Sequence, residues 1–193
     1  MEQDIRRWFG EQGQRFLQKA GLRSGDIVLD FGCGRGCYTI PAAEVVGTDG
    51  VVYALDRDKH TLSELIREAS SRDLQNIAPV HSIEQMTKTL GARTLDVVLL
   101  YDVIHHYYFT RKQRDDLLAS LASIISLDGI LSIFPQHMSI GQLEGLKKQL
   151  RTVGFMLETR MEAELLHDNR YTSGRIYTFA RSSTAARRVV TLR

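Results

Sequence analysis

Apolar positions recur along the chain in two periods, and each change of period marks a new element. From Glu2 to Ala20 the spacing is helical. Ile5, Trp8, Phe9, Phe16, Leu17 and Ala20 share one face, and Gly21 supplies a stop. "DIVLDF" then runs apolar and β-branched between glycines, the pattern of a short strand buried on both faces. A helix is predicted from Tyr38 to Val46. A turn at Gly47–Gly50 opens a second strand in "GVVYALD", and a helix from Lys59 to Ser70 carries Leu62, Leu65, Ile66 and Ala69 on one stripe. "NIAPVHS" is a weaker strand, which Pro79 confines to an edge. "LDVVLLYD" is the strongest strand signal in the chain. "RKQRDDLLASLASII" is helical through Leu117, Leu118, Leu121, Ile124 and Ile125. "GILSIFP" follows as a strand and "GQLEGLKKQLRTV" as a helix through Leu143, Leu146, Leu150 and Val153. Two strands close the pattern, "GFMLETRMEAEL" and "GRIYTFAR", with turn signals Asp168, Asn169 and Gly174 between them. Strands alternating with helices, then two strands in succession, predict an α/β fold. It is a doubly wound, mostly parallel sheet with helices on both faces and a C-terminal antiparallel hairpin.

Composition narrows this picture little. The length of 193 residues suits one domain, and a net charge of +2 with 25% charged residues describes an ordinary soluble protein. That balance points neither to nucleic acid nor to an anionic membrane. No run of about eighteen apolar residues occurs, and "MEQDIRRWFGEQ" lacks the layout of a signal peptide. The two cysteines, Cys33 and Cys37, are too few for a disulfide scaffold, so the expected location is cytoplasmic. Alone they also lack the further soft ligands of a metal site, and no metal is read from the sequence. The tail from 182 to 193 is polar and basic and reads as a solvated terminus.

The chemistry concentrates in "IVLDFGCGRGCYTIP", where Gly32, Gly34 and Gly36 follow the first strand at alternate positions. In an open parallel sheet the loop after this strand faces the ligand crevice. Glycines there allow tight turning and close ligand approach, and the amides at the next helix start are electropositive. A nucleoside triphosphate loop is excluded because no Lys follows the glycines. A dinucleotide loop needs G-x-G-x-x-G, and Cys37 stands where its third glycine belongs.

The same stretch, extended as "LQKAGLRSGDIVLDFGCGRGCYTIPAAEVVGTDGVVYALDRD", resembles the opening half of a class I S-adenosylmethionine-dependent methyltransferase. Asp30, Gly32, Gly34 and Gly36 reproduce that family's D-x-G-x-G-x-G signature. "LDVVLLYDVIHHYY", "LDGILSIF" and "VGF" continue the likeness, which covers about residues 15 to 181. The chain is similar to the small single-domain members of the type 11 and ubiquinone-biosynthesis-like groups. The resemblance implies a seven-stranded Rossmann-like sheet, S-adenosylmethionine as cofactor and S-adenosylhomocysteine as product.

It further implies site residues. Gly32, Cys33, Gly34 and Gly36 would pass under the methionine part of the cofactor, with Asp30 near its ammonium. Asp56, ending strand two, would accept both ribose hydroxyls. Arg57 would flank the adenine and Tyr101 the cofactor edge. Where most members carry an Asp after strand three, this chain has Ser82, with the Ile83 amide beside it and Glu84 as alternative acceptor. His105 and His106 are expected to open the helix after strand four. His106 and His137 are candidate general bases, and the residues identify none as catalytic. The N-terminal helix bearing Trp8 and Phe9 is a candidate cover. Signatures of nucleic-acid amino and cytosine methylators and of arsenic methylators are absent. A small-molecule acceptor is the expected partner, with nucleic acid and protein substrates left open and the oligomeric state unread. The alternative is a cofactor-binding or partner protein of the same fold without turnover.

Overall fold

The computed structural model describes residues 2–90, 92 and 94–181, so the basic tail lies outside the described residues. Seven strands form one sheet in the order β3-β2-β1-β4-β5-β7-β6. The strands are β1 (Ile27–Phe31), β2 (Val51–Leu55), β3 (Ile77–Val80), β4 (Leu95–Tyr101), β5 (Ile125–Phe134), β6 (Phe155–His167) and β7 (Arg170–Arg181). The first five are parallel, and β7 runs antiparallel between β5 and β6. The chain steps outward from β1 to β3 and then returns to place β4 on the other side of β1. That reversal opens a crevice at the carboxyl ends of β1 and β4. The doubly wound sheet and closing hairpin read from the sequence are present.

Each central strand is buried on both faces, and alternate residues serve opposite layers. Val98 and Leu100 of β4 join Leu118, Leu121 and Ile124 of α6 (Arg111–Ile124), with Leu146 and Leu150 of α7 (Ile140–Thr152). Val97, Leu99 and Tyr101 face the other way, toward Phe16 and Leu17 of α2 (Gly13–Lys19) and Ala42, Ala43 and Val46 of α3 (Thr39–Val46). The helix α4 (Lys59–Ser71) packs Leu62 and Leu65 against Ile40 and Ala54. No helix among the described residues is long and apolar enough to cross a membrane.

Several boundaries differ from the sequence expectation, each for a local reason. The N-terminal helix is α1 (Glu2–Arg7) and α2 joined through a π-helical segment, Trp8–Gln12. The extra residue per turn there accompanies full burial of Trp8, whose Nε1 donates to the Cys37 carbonyl at 2.7 Å. A helix absent from the sequence reading, α5 (Ile83–Leu90), follows β3 and buries Met86. Ile125 begins β5 rather than ending α6. His105 and His106 open no helix. They lie in an irregular connection, and α6 starts at Arg111 behind a Thr110–Gln113 capping box. Gly174 is no turn residue either. It pairs with Ala163 inside the hairpin, where a Cβ would strike the Phe134 ring. The turn is Asp168–Asn169 alone, both at positive φ, as a two-residue hairpin of right-handed twist demands.

Candidate cofactor and acceptor site

The glycine loop folds back over the end of β2. The amides of Gly32 and Cys33 both donate to the Leu55 carbonyl, at 2.7 and 3.0 Å. The Gly34 amide donates to Asp56 Oδ2 at 2.9 Å, and the Asp58 amide donates to Asp56 Oδ1 at 2.9 Å. Asp56 is therefore oriented by two backbone groups before any ligand arrives. Gly32, Gly34 and Gly36 all have positive φ, but their surroundings differ. A Cβ on Gly32 would press on Val103, and one on Gly36 would collide with Leu65. A Cβ on Gly34 would meet nothing within 4 Å. The first and third glycines let the loop pack against protein, and the middle one keeps free the space in front of it.

Beside the loop, a cavity of about 420 Å³ opens at the β1–β4 switch, with Gly32 and Asp56 in its lining. Phe31, Gly32, Leu55 and Val103 form much of its wall, and Asp56 and Asp102 supply two carboxylates against one guanidinium, Arg57. Arg57 lies over the Tyr108 ring, 5.2 Å from its centroid. Asp30 is the last residue but one of β1 and is only 2% exposed. Its Oδ2 accepts from Thr39 Oγ1 at 2.6 Å. Burial pushes the Asp30 carboxyl up to about 6, against the Thr39 hydrogen bond, and the nearby Asp56 charge adds to the rise. Acids on this scale suit a cationic ligand with hydroxyl groups and repel a phosphate.

The remaining expected residues divide. Cys33 is buried, and burial raises its thiol far above the ordinary range, so it is no nucleophile. Tyr101 lines the cavity while its hydroxyl bonds Ser132 Oγ at 2.8 Å. Ser82 is exposed, and its Oγ accepts from the Gln85 amide at 3.1 Å, so the side chain caps α5. Ile83 packs on the core edge at the start of that helix. His106 Nδ1 pairs with Gln142 Nε2 at 2.8 Å on the rim. The N-terminal segment contributes no side chain to the cavity lining; Ile5 and Phe9 line a separate groove with Leu166 and Asn169.

At the mouth, Asp102 gathers three histidines. His137 Nδ1 lies 2.8 Å from both Asp102 carboxylate oxygens. His167 Nε2 lies 3.2 Å from Oδ2, and His105 Nε2 lies 3.9 Å from Oδ1. These residues come from the ends of β4, β5 and β6. Burial holds the buried His105 below its ordinary value, although Asp102 opposes the shift. Sequence reasoning missed His167 because it sits beside the hairpin turn, with no motif around it.

Residues 22–170 match the methyltransferase domain family. The chain belongs to that family. Among curated relatives, this methyltransferase-family chain is 37% identical over 98 residues to aklanonic acid methyltransferase DauC of Streptomyces sp. (strain C5), covering 50% of the chain and 44% of that protein. It is 34% identical over 65 residues to demethylmenaquinone methyltransferase of Geobacillus sp. (strain WCH70), covering 34% and 28%. The matches thus span less than half the length of these relatives. Among solved structures, a SAM-dependent methyltransferase from Aquifex aeolicus superposes with a TM-score of 0.68 at 20% identity, over 90% of this chain and 92% of that one. Magnesium protoporphyrin IX methyltransferase (ChlM) from Synechocystis PCC 6803, with bound SAM, gives 0.63 at 20% identity, over 93% and 80%. The class I family and fold inferred from the glycine signature are borne out.

Proposed function

We infer that the cavity at the β1–β4 switch holds S-adenosylmethionine and that the methyl group passes to a small-molecule acceptor at the mouth. The observation that carries this reading is the cavity lined by bare Gly32 and by Asp56, whose carboxylate two backbone amides already orient, with room left at the Gly34 Cβ position. The residues present fit that cofactor. Asp56 takes the ribose diol with the lone pairs its two amides leave free, Gly32 and Gly34 let the methionine part lie on bare backbone, and the Asp30 carboxylate balances the positive charge. Leu55, Val103, Phe109 and the Arg57–Tyr108 pair offer apolar and cationic surface to the adenine. Ser82 serves the adenine poorly, because its oxygen is committed to the α5 amide.

When bound, the cofactor supplies a methyl group already electrophilic through its sulfonium. The chain's own task is positioning, so that the acceptor atom attacks in line with the carbon–sulfur bond. Asp102 and His137 stand where that acceptor would sit, and exposed Tyr107 and Tyr108 rim the opening. The acceptor class is supported by relatives named for aklanonic acid and demethylmenaquinone. The test is a screen of metabolite fractions for acceptor-dependent release of S-adenosylhomocysteine. Release with no fraction, by a protein that binds the cofactor, would favour the non-catalytic alternative.

A further inference from the structure

Four of the six histidines lie around the acceptor mouth, and three of them converge on one carboxylate. One ligand atom each from Asp102, His105 and His137 falls within 4.8 Å of the other two. Hydrogen bonding alone accounts poorly for this convergence. Among the described residues, the Asp102 carboxylate is hydrogen-bonded by His137 alone; His167 Nε2 stands 3.2 Å from it without hydrogen-bond geometry, and the buried His105 Nδ1 has no hydrogen-bond partner. A buried polar atom left without a partner costs on the order of 1–3 kcal/mol, so such atoms call for an explanation. Asp102 itself stands at φ +54°, a conformation a non-glycine residue adopts at a cost, and it sits next to the last residue of β4.

We propose that Asp102, His105 and His137 bind a first-row divalent metal ion at the acceptor mouth, with His167 beside it and open positions facing the acceptor. Nitrogen and oxygen ligands about 2.1 Å from such an ion lie roughly 3.0–3.4 Å apart. Small rotations of the two rings therefore close the site. Two imidazoles and one carboxylate, from the chain ends of β4 and β5, leave coordination positions free, as a Lewis-acid site requires. The site deepens the methyl-transfer reading and rests on it for its use. An acceptor hydroxyl with a second oxygen beside it chelates the ion and gives its proton to solvent. The deprotonated hydroxyl oxygen would then bond the methyl carbon as the carbon–sulfur bond breaks, its electron pair staying on sulfur.

The test uses protein stripped with chelator and titrated with Co2+ under optical detection. The expected result is one Co2+ per chain with visible ligand-field bands, and bands that shift when catechol is added as a chelating probe. His137→Ala and His105→Ala should each weaken Co2+ binding at least about tenfold, while S-adenosylhomocysteine binding by calorimetry stays within about twofold. His137 is half exposed, so its variant is expected to fold even where His105→Ala does not. Absence of stoichiometric Co2+ in the wild type, or binding that His137→Ala leaves intact, overturns the site. Bands unmoved by catechol overturn its acceptor role. Cofactor binding is read separately, so failure of the metal site and failure of the methyltransferase reading give different results.

Discussion

The two ends of the crevice are built by opposite means. The cofactor end is made of backbone: a glycine loop tied by its amides to Leu55 and Asp56, over a carboxylate buried at the end of β1. The end we propose for the acceptor is made of side chains delivered by β4, β5 and β6, beside a connection whose Tyr107 is 71% exposed. A backbone site tolerates little change and accepts one ligand shape. A side-chain site can be rebuilt residue by residue. The difference implies that one fold keeps its cofactor while its acceptor varies.

The largest effect that would break this comparison comes from Gly34. A Cβ there meets no protein atom within 4 Å, so valine would grow into the proposed ligand space, and it resists a φ of +52°. Gly34→Val should abolish S-adenosylmethionine binding, by calorimetry, while circular dichroism shows a folded protein. Normal binding by a folded variant would remove the loop from the site.

Asp56→Ala comes next. It should weaken binding by about 1.5–3 kcal/mol, the scale of hydrogen bonds to a charged acceptor, or roughly tenfold to a hundredfold or more. Because Asp56 also holds the Gly34 amide, part of that loss comes from a loosened loop. An analogue lacking both ribose hydroxyls separates the shares. Its affinity should fall less than that of the full cofactor, and equal losses would deny Asp56 the ribose.

Asp30 gives a smaller, graded effect. With its carboxyl at about 6 in the free protein, Asp30 is protonated below that pH, and a cationic ligand has to displace the proton. Affinity should be flat above about pH 6 and fall below it, by at most about tenfold per pH unit. Asp30→Asn should flatten the profile. A wild-type profile already flat through this range would remove Asp30 from the ligand's field.

The smallest effect sharpens the comparison from the other end. Tyr107→Ala should leave cofactor affinity within about twofold, since the ring is exposed and outside the cavity lining. A larger loss would show that the mouth and the cofactor end are not separable.

What the sequence made legible follows the same division. Continuous apolar strands and the D-x-G-x-G-x-G loop are local patterns, so β1, β2, β4 and the cofactor end could be read from residues that adjoin in the chain. The Asp102–histidine cluster is non-local: 35 residues separate Asp102 from His137, and only the strand order brings them together. Other misses were local signals with two meanings. Ser82 matched a family position for adenine but works as a helix cap, and the helix it caps was hidden behind a strand reading of "NIAPVHS". Gly174 has the composition of a turn, yet it lies in β7 because the Phe134 ring leaves no room for a side chain.

The central claim is that the space over Gly34 takes S-adenosylmethionine and its demethylated product rather than a nicotinamide. Calorimetric titration of the wild-type chain with S-adenosylhomocysteine, and in parallel with NADH, tests it directly. The account predicts binding on the order of micromolar for the first and no heat for the second. No heat from S-adenosylhomocysteine, with saturable binding of NADH, would contradict it.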